Sequence, residues 1–239
     1  NGGFCEMFGS CSYNTFMYNT IIDCNGLSEF GANGATANSV DNLYAYNKLI
    51  DNGAMFYCNI SGPFACQVGN VMFYNNTVIE TNNSRFAQGS ANAGAGVTSP
   101  EAISHINLDS YMFLYNGTPT ASTVYALKNN IFNVSNPLKI CRSSESRLTH
   151  DYEVFKLSGG SNFPLALNTH EVSTSAALFV NTTPANATAW DLNPLTGSAA
   201  IDRGTSVGIN ADFVGNPVPS VPNAGIYESA SASVLSATA

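Results

Sequence analysis

A short phrase that recurs at a fixed interval constrains this chain more than any other feature. It reads NTFMYNTIID from Asn14, NLYAYNKLID from Asn42 and NVMFYNNTVIE from Asn70, so successive copies start at one constant interval. Units that repeat about every 20–50 residues indicate a solenoid or a propeller, because each unit can bury its apolar face only against a stacked neighbour. The chain is therefore expected to fold as a stack of similar units.

The pattern inside the phrase favours strands over helices. Apolar and polar residues alternate over short runs rich in Ile, Val, Leu, Phe and Tyr, and Asn and Gly bound these runs. A coil of about 28 residues with two or three short strands fits a parallel β-helix, which is an all-β solenoid. Stacking in register also brings equivalent side chains together. The predicted contacts are a ring stack and an amide ladder, formed by Tyr18, Tyr46 and Tyr74 and by Asn19, Asn47 and Asn75.

A fainter fourth copy, YALKNNIFNV, begins at Tyr125 and places Asn129 nearly two repeat intervals beyond Asn75. Two coils of about 27 residues would span that distance, so residues 82–123 are expected to hold one coil and an excursion. Residues 84–104 are small and nearly uncharged, which is typical of a loop that leaves the stack. Such a loop either lines a ligand groove or is a solvated insertion.

The charge of the chain argues against some partners. Charged residues make up 10% of the 239 residues, the net charge is −8, and the eight Lys and Arg residues include no long basic run. Binding to nucleic acid needs a basic patch, so no nucleic acid partner is expected. No run of about 18 apolar residues occurs, so no membrane span is expected either.

The beginning of the chain resembles the middle of a coil. It contains no signal peptide, and Asn1-Gly2-Gly3 looks like a turn that is echoed by Asn25-Gly26. We interpret the chain as the C-terminal portion of a longer protein. The missing N-terminal coils or another chain are then the expected protein partners.

Six cysteines and seven Asn-X-Ser/Thr sequons favour a secreted, extracellular protein. An even number of cysteines favours an oxidising compartment with up to three disulfides, and Cys58–Cys66 is a local candidate pair. The alternative is that the cysteines are small apolar residues inside the coils. The sequons look like N-glycosylation sites, although a chain so rich in Asn, Ser and Thr contains several by chance.

The C-terminal segment carries the most specific motifs. They are LFVN from Leu178, DL from Asp191, AIDRG from Ala200, DF from Asp212, GNP from Gly215 and GIYE from Gly225. This series resembles the terminal segment of secreted right-handed parallel β-helix proteins of the pectate-lyase-like superfamily, and YNNTVIE and KNNIFNV resemble the coils of that group. The resemblance implies a right-handed single-stranded parallel β-helix. Residues 1–175 would form coils with a loop excursion at about 84–123, and residues 176–239 would form a last coil and a capping tail.

Three acidic residues that end the repeated phrases are the first candidate site. Asp23, Asp51 and Glu80 occupy equivalent positions, so they are expected to lie near one another on successive coils. Neighbouring strands are about 4.7–4.9 Å apart. Carboxylates one coil apart would then be separated by ~5 Å, close to the spacing in retaining glycosidases. The same column could instead bind Ca²⁺, or simply cap turns in water.

Glu6 and Glu29 are the second pair of catalytic candidates. Both are flanked by Phe and Gly, in CEMFG and SEFG. Acids in an apolar groove wall are desolvated, which raises the pKa and favours a general acid. The alternative is that either residue is an ordinary surface carboxylate.

The candidate substrate-binding residues are cationic or aromatic. They are Lys48, Arg85, Tyr44, Arg142, Arg147 and His150. The stretch 137–160 holds half of the eight Lys and Arg residues, together with His150, and could face an anionic ligand, or could be a solvated loop beside its own acids. Phe56, Phe73 and Tyr111 would add stacking platforms if they faced outward. A polysaccharide lyase would also need a base and either a cation or Ca²⁺, and no spacing singles one out.

Fold and resemblance together predict a secreted carbohydrate-active protein that binds a polysaccharide along the β-helix. The superfamily includes polysaccharide lyases, glycoside hydrolases, epimerases and non-catalytic surface proteins, so the resemblance does not choose an activity. Cleavage by a lyase or by paired carboxylates is the first hypothesis. A non-catalytic glycan-binding module and a structural part of a larger assembly are the alternatives. The sequence establishes no cofactor, and Ca²⁺ is the one candidate.

Overall fold

The computed structural model describes residues 4–24, 26–31, 37–58, 66–82, 111–113, 123–143, 145–183 and 185–228. Within these ranges the chain is all-β, with 18 strands and two short 3₁₀ turns at Gly160–Asn162 and Ala187–Ala189. No helix in the described part of the chain is long and apolar enough to cross a membrane.

Most strands belong to three parallel sheets. The three-stranded sheet contains Cys5–Phe8 (β1), Ser28–Gly31 (β4) and Phe56–Cys58 (β8). The five-stranded sheet contains Thr15–Met17 (β2), Leu43–Ala45 (β6), Val71–Tyr74 (β10), Tyr125–Lys128 (β12) and Leu148–Asp151 (β14). The six-stranded sheet contains Thr20–Ile22 (β3), Lys48–Ile50 (β7), Thr77–Glu80 (β11), Ile131–Val134 (β13), Val154–Leu157 (β15) and Val172–Ser173 (β16).

Two smaller sheets complete the strands. Ala37–Val40 (β5) pairs in parallel with Cys66–Gly69 (β9), and Phe179–Asn181 (β17) pairs antiparallel with Asp191–Pro194 (β18). Each of the first repeats passes through the three-stranded, five-stranded and six-stranded sheets in turn, and we call the strands of one repeat a layer. An all-β chain arranged in several parallel sheets is compatible with the expected parallel β-helix.

The register differs from the expected one by a single residue. Phe16 pairs with Tyr44, as the repeat predicts, but the residue that pairs with Tyr44 in the next layer is Phe73, one place later than predicted. Tyr74 therefore pairs with Ala45, and Asn75 occupies the register position of Tyr46 in the next layer. The predicted contact of Tyr18 with Tyr46 is present, with ring centroids 6.1 Å apart. The prediction that Tyr74 is the third ring of the stack is wrong. In the copy that contains Tyr74-Asn75-Asn76, the turn residue is Asn75, one place later than the tyrosine of the earlier copies.

The amide ladder is present, with Asn76 in the place predicted for Asn75. Asn19 donates from its backbone N and from Nδ2 to Asn47 Oδ1, and Asn47 donates in the same way to Asn76, with distances of 2.9–3.0 Å. Asn76 donates to Asn130 Oδ1, and Asn130 donates to the Glu153 carboxylate, at 2.8–3.2 Å. The ladder satisfies buried backbone N–H groups that leave the strands at each turn.

The sequence predicts an extra coil between the third and fourth copies, and this prediction is wrong. β10 pairs directly with β12, where Val71 faces Tyr125, and β11 pairs directly with β13, where Thr77 faces Ile131. A single layer step therefore spans the whole interval, and no further layer fits between these strands. Residues 84–104, predicted as a loop, lie outside the described residues.

The main core lies between the three parallel sheets and is largely aromatic. Phe16 stacks on Tyr44 at 4.8 Å, and Phe132 stacks on Phe155 at 5.7 Å. Burial of such a side chain stabilises the fold by about 1.5–3 kcal/mol. The inward rings come from alternate strand positions, as the period-2 pattern predicts.

A second core lies on the opposite side of the six-stranded sheet. Ile50, Ile79 and Ile131 project outward from this sheet and are buried by Leu178, Ile226 and other residues of the C-terminal segment. We call residues 176–228 the tail. The sequence predicts a last coil and a cap here; the described tail residues instead form the β17–β18 hairpin and lie across this face.

Four cysteine side chains are described, namely Cys5, Cys11, Cys24 and Cys141, and among them Cys5, Cys11 and Cys141 are free thiols. Cys141 is buried, and the other three pack against the main core. For these four the alternative of small apolar core residues is therefore the better description. The side chains of Cys58 and Cys66 lie outside the described residues.

Candidate functional site

Glu6 and Glu29 are paired across adjacent strands. They are register partners on β1 and β4. Each glutamate directly precedes a buried residue of its own strand, Met7 on β1 and Phe30 on β4. Residues two apart on a strand share a face, so both glutamates and Phe8 point away from the core. Neighbouring strands lie about 4.7–4.9 Å apart. The two residues, here called the outer acid pair, are thus held side by side on the outside of the three-stranded sheet.

The surroundings of the outer acid pair differ from the predicted apolar wall. Glu6 is exposed and Glu29 is half-buried. Phe8, two residues after Glu6, is 41% exposed, and the preceding Phe4 is 42% exposed. The site is therefore an open surface with aromatic side chains beside two carboxylates.

Asp23, Asp51 and Glu80 form the predicted column. Ile22, Ile50 and Ile79 pair in register, which places the three acids at the same position of successive layers. Asp51 is held on both oxygens by Thr81, whose N and Oγ1 donate over 2.6 and 2.9 Å. Burial raises the pKa of Asp51, the Thr81 hydrogen bonds oppose this, and the Asp23 charge adds to it.

The column has the features of turn residues. Asp23 is exposed, and both Asp23 and Asp51 have a positive φ of 54°. Glu80 is buried and its Oε1 accepts from Gly53 N at 2.7 Å. Among the described residues no group of three or more His, Cys, Asp or Glu side chains is arranged to hold a metal ion.

Two predicted substrate-binding residues are inaccessible. Lys48 is 5% exposed beneath the tail, where its Nζ donates to the Trp190 carbonyl oxygen at 3.4 Å. This burial lowers the pKa of Lys48, and the Asp191 charge opposes the shift. Tyr44 lies in the main core with its hydroxyl 2.8 Å from Ser28 Oγ. The period-2 pattern does not show which face of a strand points outward. The burial of Lys48 and of Tyr44 therefore could not be predicted from this pattern.

The other predicted ring platforms are mostly inside as well. Phe56 and Phe73 belong to the main core, with ring centroids 6.0 Å apart. Tyr111 is half-buried and is contacted by Lys139 and Arg142, each 5.6 Å from the ring centroid. Cation–π contact of this kind keeps two cations beside one aromatic ring.

The cationic stretch 137–160 does not form one patch. Arg147 lies 3.8 Å from Glu145, and His150 lies beside Glu171. Arg142 instead lies with Lys139 at Tyr111. Arg85 lies outside the described residues. The predicted anion-facing patch is thus reduced to the Lys139–Arg142–Tyr111 group.

A cluster that the sequence prediction missed lies near the last strands. His150 Nδ1 is 2.7 Å from Glu171 Oε1, and His170 Nδ1 is 3.0 Å from Asp151 Oδ2. The dipeptides His150-Asp151 and His170-Glu171 thus pair crosswise, and we call these contacts the crossed pairs. The two dipeptides, each a histidine followed by an acid, are the only local signal of this pairing in the sequence.

The crossed pairs differ in exposure. Glu171 is buried and its second oxygen accepts from Asn168 N at 2.7 Å, whereas the His170 side chain is 51% exposed. The His170 ring also stacks on Tyr152 with centroids 4.3 Å apart. When Nδ1–H donates a hydrogen bond to a carboxylate, Nε2 is left as the basic nitrogen, which is the arrangement of a general base.

Glu153 lies close to the crossed pairs but serves the amide ladder. It is completely buried and accepts from both the backbone N and the Nδ2 of Asn130. Burial raises its pKa well above the ordinary value, and the Glu171 charge raises it further. Its role is therefore to end the ladder.

Comparison of the sequence with known protein families and with curated proteins gives no match. The functional hypothesis therefore depends on the geometry of the chain itself.

Proposed function

We propose that this chain is a right-handed parallel β-helix of the pectate-lyase-like kind that acts outside the cell on a polysaccharide. The parallel sheets, the in-register layers and the amide ladder support the proposed fold. The similarity of the tail motifs to that superfamily supports the handedness and the substrate class. The activity itself is proposed from the outer acid pair.

The observation that carries the proposal is the register of Glu6 with Glu29 on an open face. Carboxylates on neighbouring strands are separated by ~5 Å, which matches the spacing of about 5–5.5 Å in retaining glycosidases. In that reaction one carboxylate attacks the anomeric carbon while the other protonates the leaving oxygen. Water then releases the sugar when the second residue removes its proton.

The rest of this face suits an acidic sugar chain. Phe113 forms a bridge to Phe56 of β8, and Tyr111 forms a bridge to Lys139, so residues 111–113 and 139 extend the three-stranded sheet. Lys139 and Arg142 then lie on the same side of the molecule as the outer acid pair, about three strand steps from β4, or ~14 Å. A polysaccharide lying across the strands would contact carboxylates at one end and cations at the other.

The crossed pairs favour a different activity, β-elimination. A lyase needs a base that removes the proton next to a uronate carboxyl, and His170 held by Asp151 is such a base. The outer acid pair belongs to the layers of β2 and β6, which lie four and three strand steps from β14, or ~19 and ~14 Å, so the crossed pairs and the outer acid pair cannot act on one bond. The two activities are therefore separable by mutation.

The test is reducing-end release by the full chain from a panel of neutral and uronic-acid polysaccharides. Release that is lost in Glu6→Gln and in Glu29→Gln, and kept in Asp202→Asn, supports the hydrolase. Asp202 is a suitable control because it is an exposed acid of the tail. Release accompanied by unsaturated-uronate absorbance and lost in His170→Asn assigns a lyase. No release from any member of the panel contradicts both activities.

A second candidate function is a structural module of a larger assembly. β1, β2 and β3 each lie at an edge of their sheets and belong to the same layer. Asn19 Oδ1 accepts no hydrogen bond from the described residues, although its equivalents on later layers each accept two. An edge of this kind can pair with a strand of another chain. Sedimentation that shows one size at all protein concentrations would contradict self-assembly at this edge.

A further inference from the structure

Two buried polar atoms face the seam between the tail and the parallel sheets. Tyr46 is 0% exposed and Glu228 is 4% exposed. Neither Tyr46 Oη nor Glu228 Oε1 has a hydrogen-bond partner among the described residues. Buried groups of this kind are rare in native proteins, and each one needs a physical explanation.

The two atoms belong to the same small region. Tyr46 is followed in the next layer by Asn75, whose Nδ2 donates to the Asn223 carbonyl oxygen at 3.3 Å. Asn223 N in turn donates to Glu228 Oε2 at 2.9 Å. After burial itself, the Glu228 charge is the strongest influence that raises the pKa of Tyr46. Glu228 and Tyr46 are therefore neighbours across the seam.

The nearby polar groups are already engaged. Asp212 accepts from Val214 N and Asn216 N on Oδ1, and from Asn216 Nδ2 and Glu228 N on Oδ2. Tyr18 donates its hydroxyl to the Ala211 carbonyl oxygen at 3.0 Å. None of these groups pairs with Tyr46 Oη or Glu228 Oε1.

The charges at the seam are all negative. Asp212 and Asp202 raise the pKa of Glu228, and no cation contributes to the shift of either Glu228 or Tyr46. A metal ion is not favoured, because no metal-binding group of three or more His, Cys, Asp or Glu side chains occurs in the described ranges. A neutral guest that both accepts and donates a hydrogen bond fits the remaining two atoms.

We propose that Tyr46 and Glu228 bind one enclosed water molecule that fastens the tail to the parallel sheets. The water accepts the hydrogen of Tyr46 Oη and donates to Glu228 Oε1. Enclosed waters of this kind join buried polar groups that have no protein partner, and they are part of the folded structure. The site is independent of the proposed enzyme activity.

The sign of one mutational effect tests the proposal. If the tyrosine hydroxyl were unpaired, its removal in Tyr46→Phe would leave stability unchanged or increase it, because the cost of a buried unpaired donor disappears. With the water present, Tyr46→Phe removes a hydrogen bond and lowers the melting temperature by about 2–4 °C. Tyr18→Phe is the matched control, since it makes the same change one layer away at a hydroxyl that is partly exposed. An unchanged or raised melting temperature in Tyr46→Phe, beside a lowered one in Tyr18→Phe, overturns the proposal.

Two further measurements keep the test decisive if Tyr46→Phe does not fold. A high-resolution crystal structure of the full chain should show one peak of density within about 2.6–3.2 Å of Tyr46 Oη and of Glu228 Oε1. Absent density, or a direct contact between these two atoms, overturns the proposal. Melting in potassium, ammonium and tetramethylammonium chloride at equal concentration should give equal temperatures. A specific gain in potassium or ammonium would overturn the water in favour of a cation.

Discussion

The outer faces of the six-stranded and three-stranded sheets differ in their exposure to solvent. On the six-stranded sheet the outward residues are Ile50, Ile79 and Ile131, and the tail buries them. On the three-stranded sheet the outward residues of β1 are Glu6 and Phe8, and both are exposed. A strand with two apolar faces is therefore covered on both sides, whereas an alternating strand leaves one face free. The outer face of β1 is therefore accessible from solvent, whereas that of the six-stranded sheet is covered.

The largest expected effect tests how tightly the covered face is closed. A Cβ added at Gly225 would meet Ile131 Cδ1 at 2.6 Å and Thr77 Oγ1 at 2.7 Å, and this glycine has φ +87°. Gly225→Ala should lower the free energy of unfolding by about 3–5 kcal/mol, through overpacking and backbone strain. Urea unfolding measures the loss.

Gly215→Ala is the control for this prediction. Gly215 has φ +90° but no atom within 4 Å of the added Cβ, so only the backbone term remains, about 1 kcal/mol. Equal losses in the two variants would mean that the tail is not pressed against the sheet.

A comparison within one strand sharpens the contrast between the two cores. In β11, Val78 belongs to the main core and Ile79 to the core beneath the tail. Ile79→Ala should cost about 2–4 kcal/mol, a core-sized loss, because the tail leaves a cavity when the side chain is shortened. The loss in free energy of unfolding for Val78→Ala gives the corresponding value for the main core. A loss below about 0.5 kcal/mol for Ile79→Ala would show that this face is open in solution.

Closure of the covered face should also depend on pH. Burial raises the pKa of Glu228 to about 7 from 4.5, with added repulsion from Asp212 and Asp202. The folded state then holds the proton more strongly than the unfolded state. The contribution of Glu228 is therefore fully present below pH 4.5 and is lost as the pH rises through 7. The expected decrease is about 2–3 kcal/mol.

Urea unfolding at several pH values measures this decrease. Burial also raises the pKa values of Asp51 and Glu153, so the informative quantity is the difference between the wild-type protein and Glu228→Gln. Parallel pH profiles of the two proteins would rule out Glu228 as a titrating group of the seam.

The smallest expected effect concerns the open face. Glu6 is exposed on β1, an edge strand, so Glu6→Gln should change the free energy of unfolding by less than about 0.5 kcal/mol. Under the proposed function the same variant loses polysaccharide cleavage. A large loss of stability would instead show that the open face is structural.

The sequence predicted the strand pattern and the ladder well, because both depend on local periodicity. Its error of one residue arose at Tyr74-Asn75-Asn76, where two asparagines follow the tyrosine. The turn position takes the first of them, with φ 51°, and the ladder takes the second. Asn tolerates a positive φ as readily as it joins an amide ladder, so the letters alone favour neither alignment.

The candidate site was predicted less completely. Asp23 and Asp51 were recognised as equivalent acids because register follows from the repeat, whereas Glu6 and Glu29 were paired by their Phe and Gly neighbours alone. Lys48 was placed wrongly on a substrate face, and Glu171 was missed. The burial of Lys48 depends on Trp190, which is far away in the sequence, and no periodic pattern reports a contact of that range.

By itself the sequence determined an all-β chain whose strands stack in parallel and whose turns carry Asn. A repeat of about 28 residues with period-2 alternation buries its apolar residues when similar units stack on one another. The tertiary structure alone decided which outer face is open, because the tail has no repeat and chooses its sheet by packing. Gly225 fits against Ile131 and Thr77 of the six-stranded sheet, whereas Glu6 and Phe8 on the three-stranded sheet stay exposed.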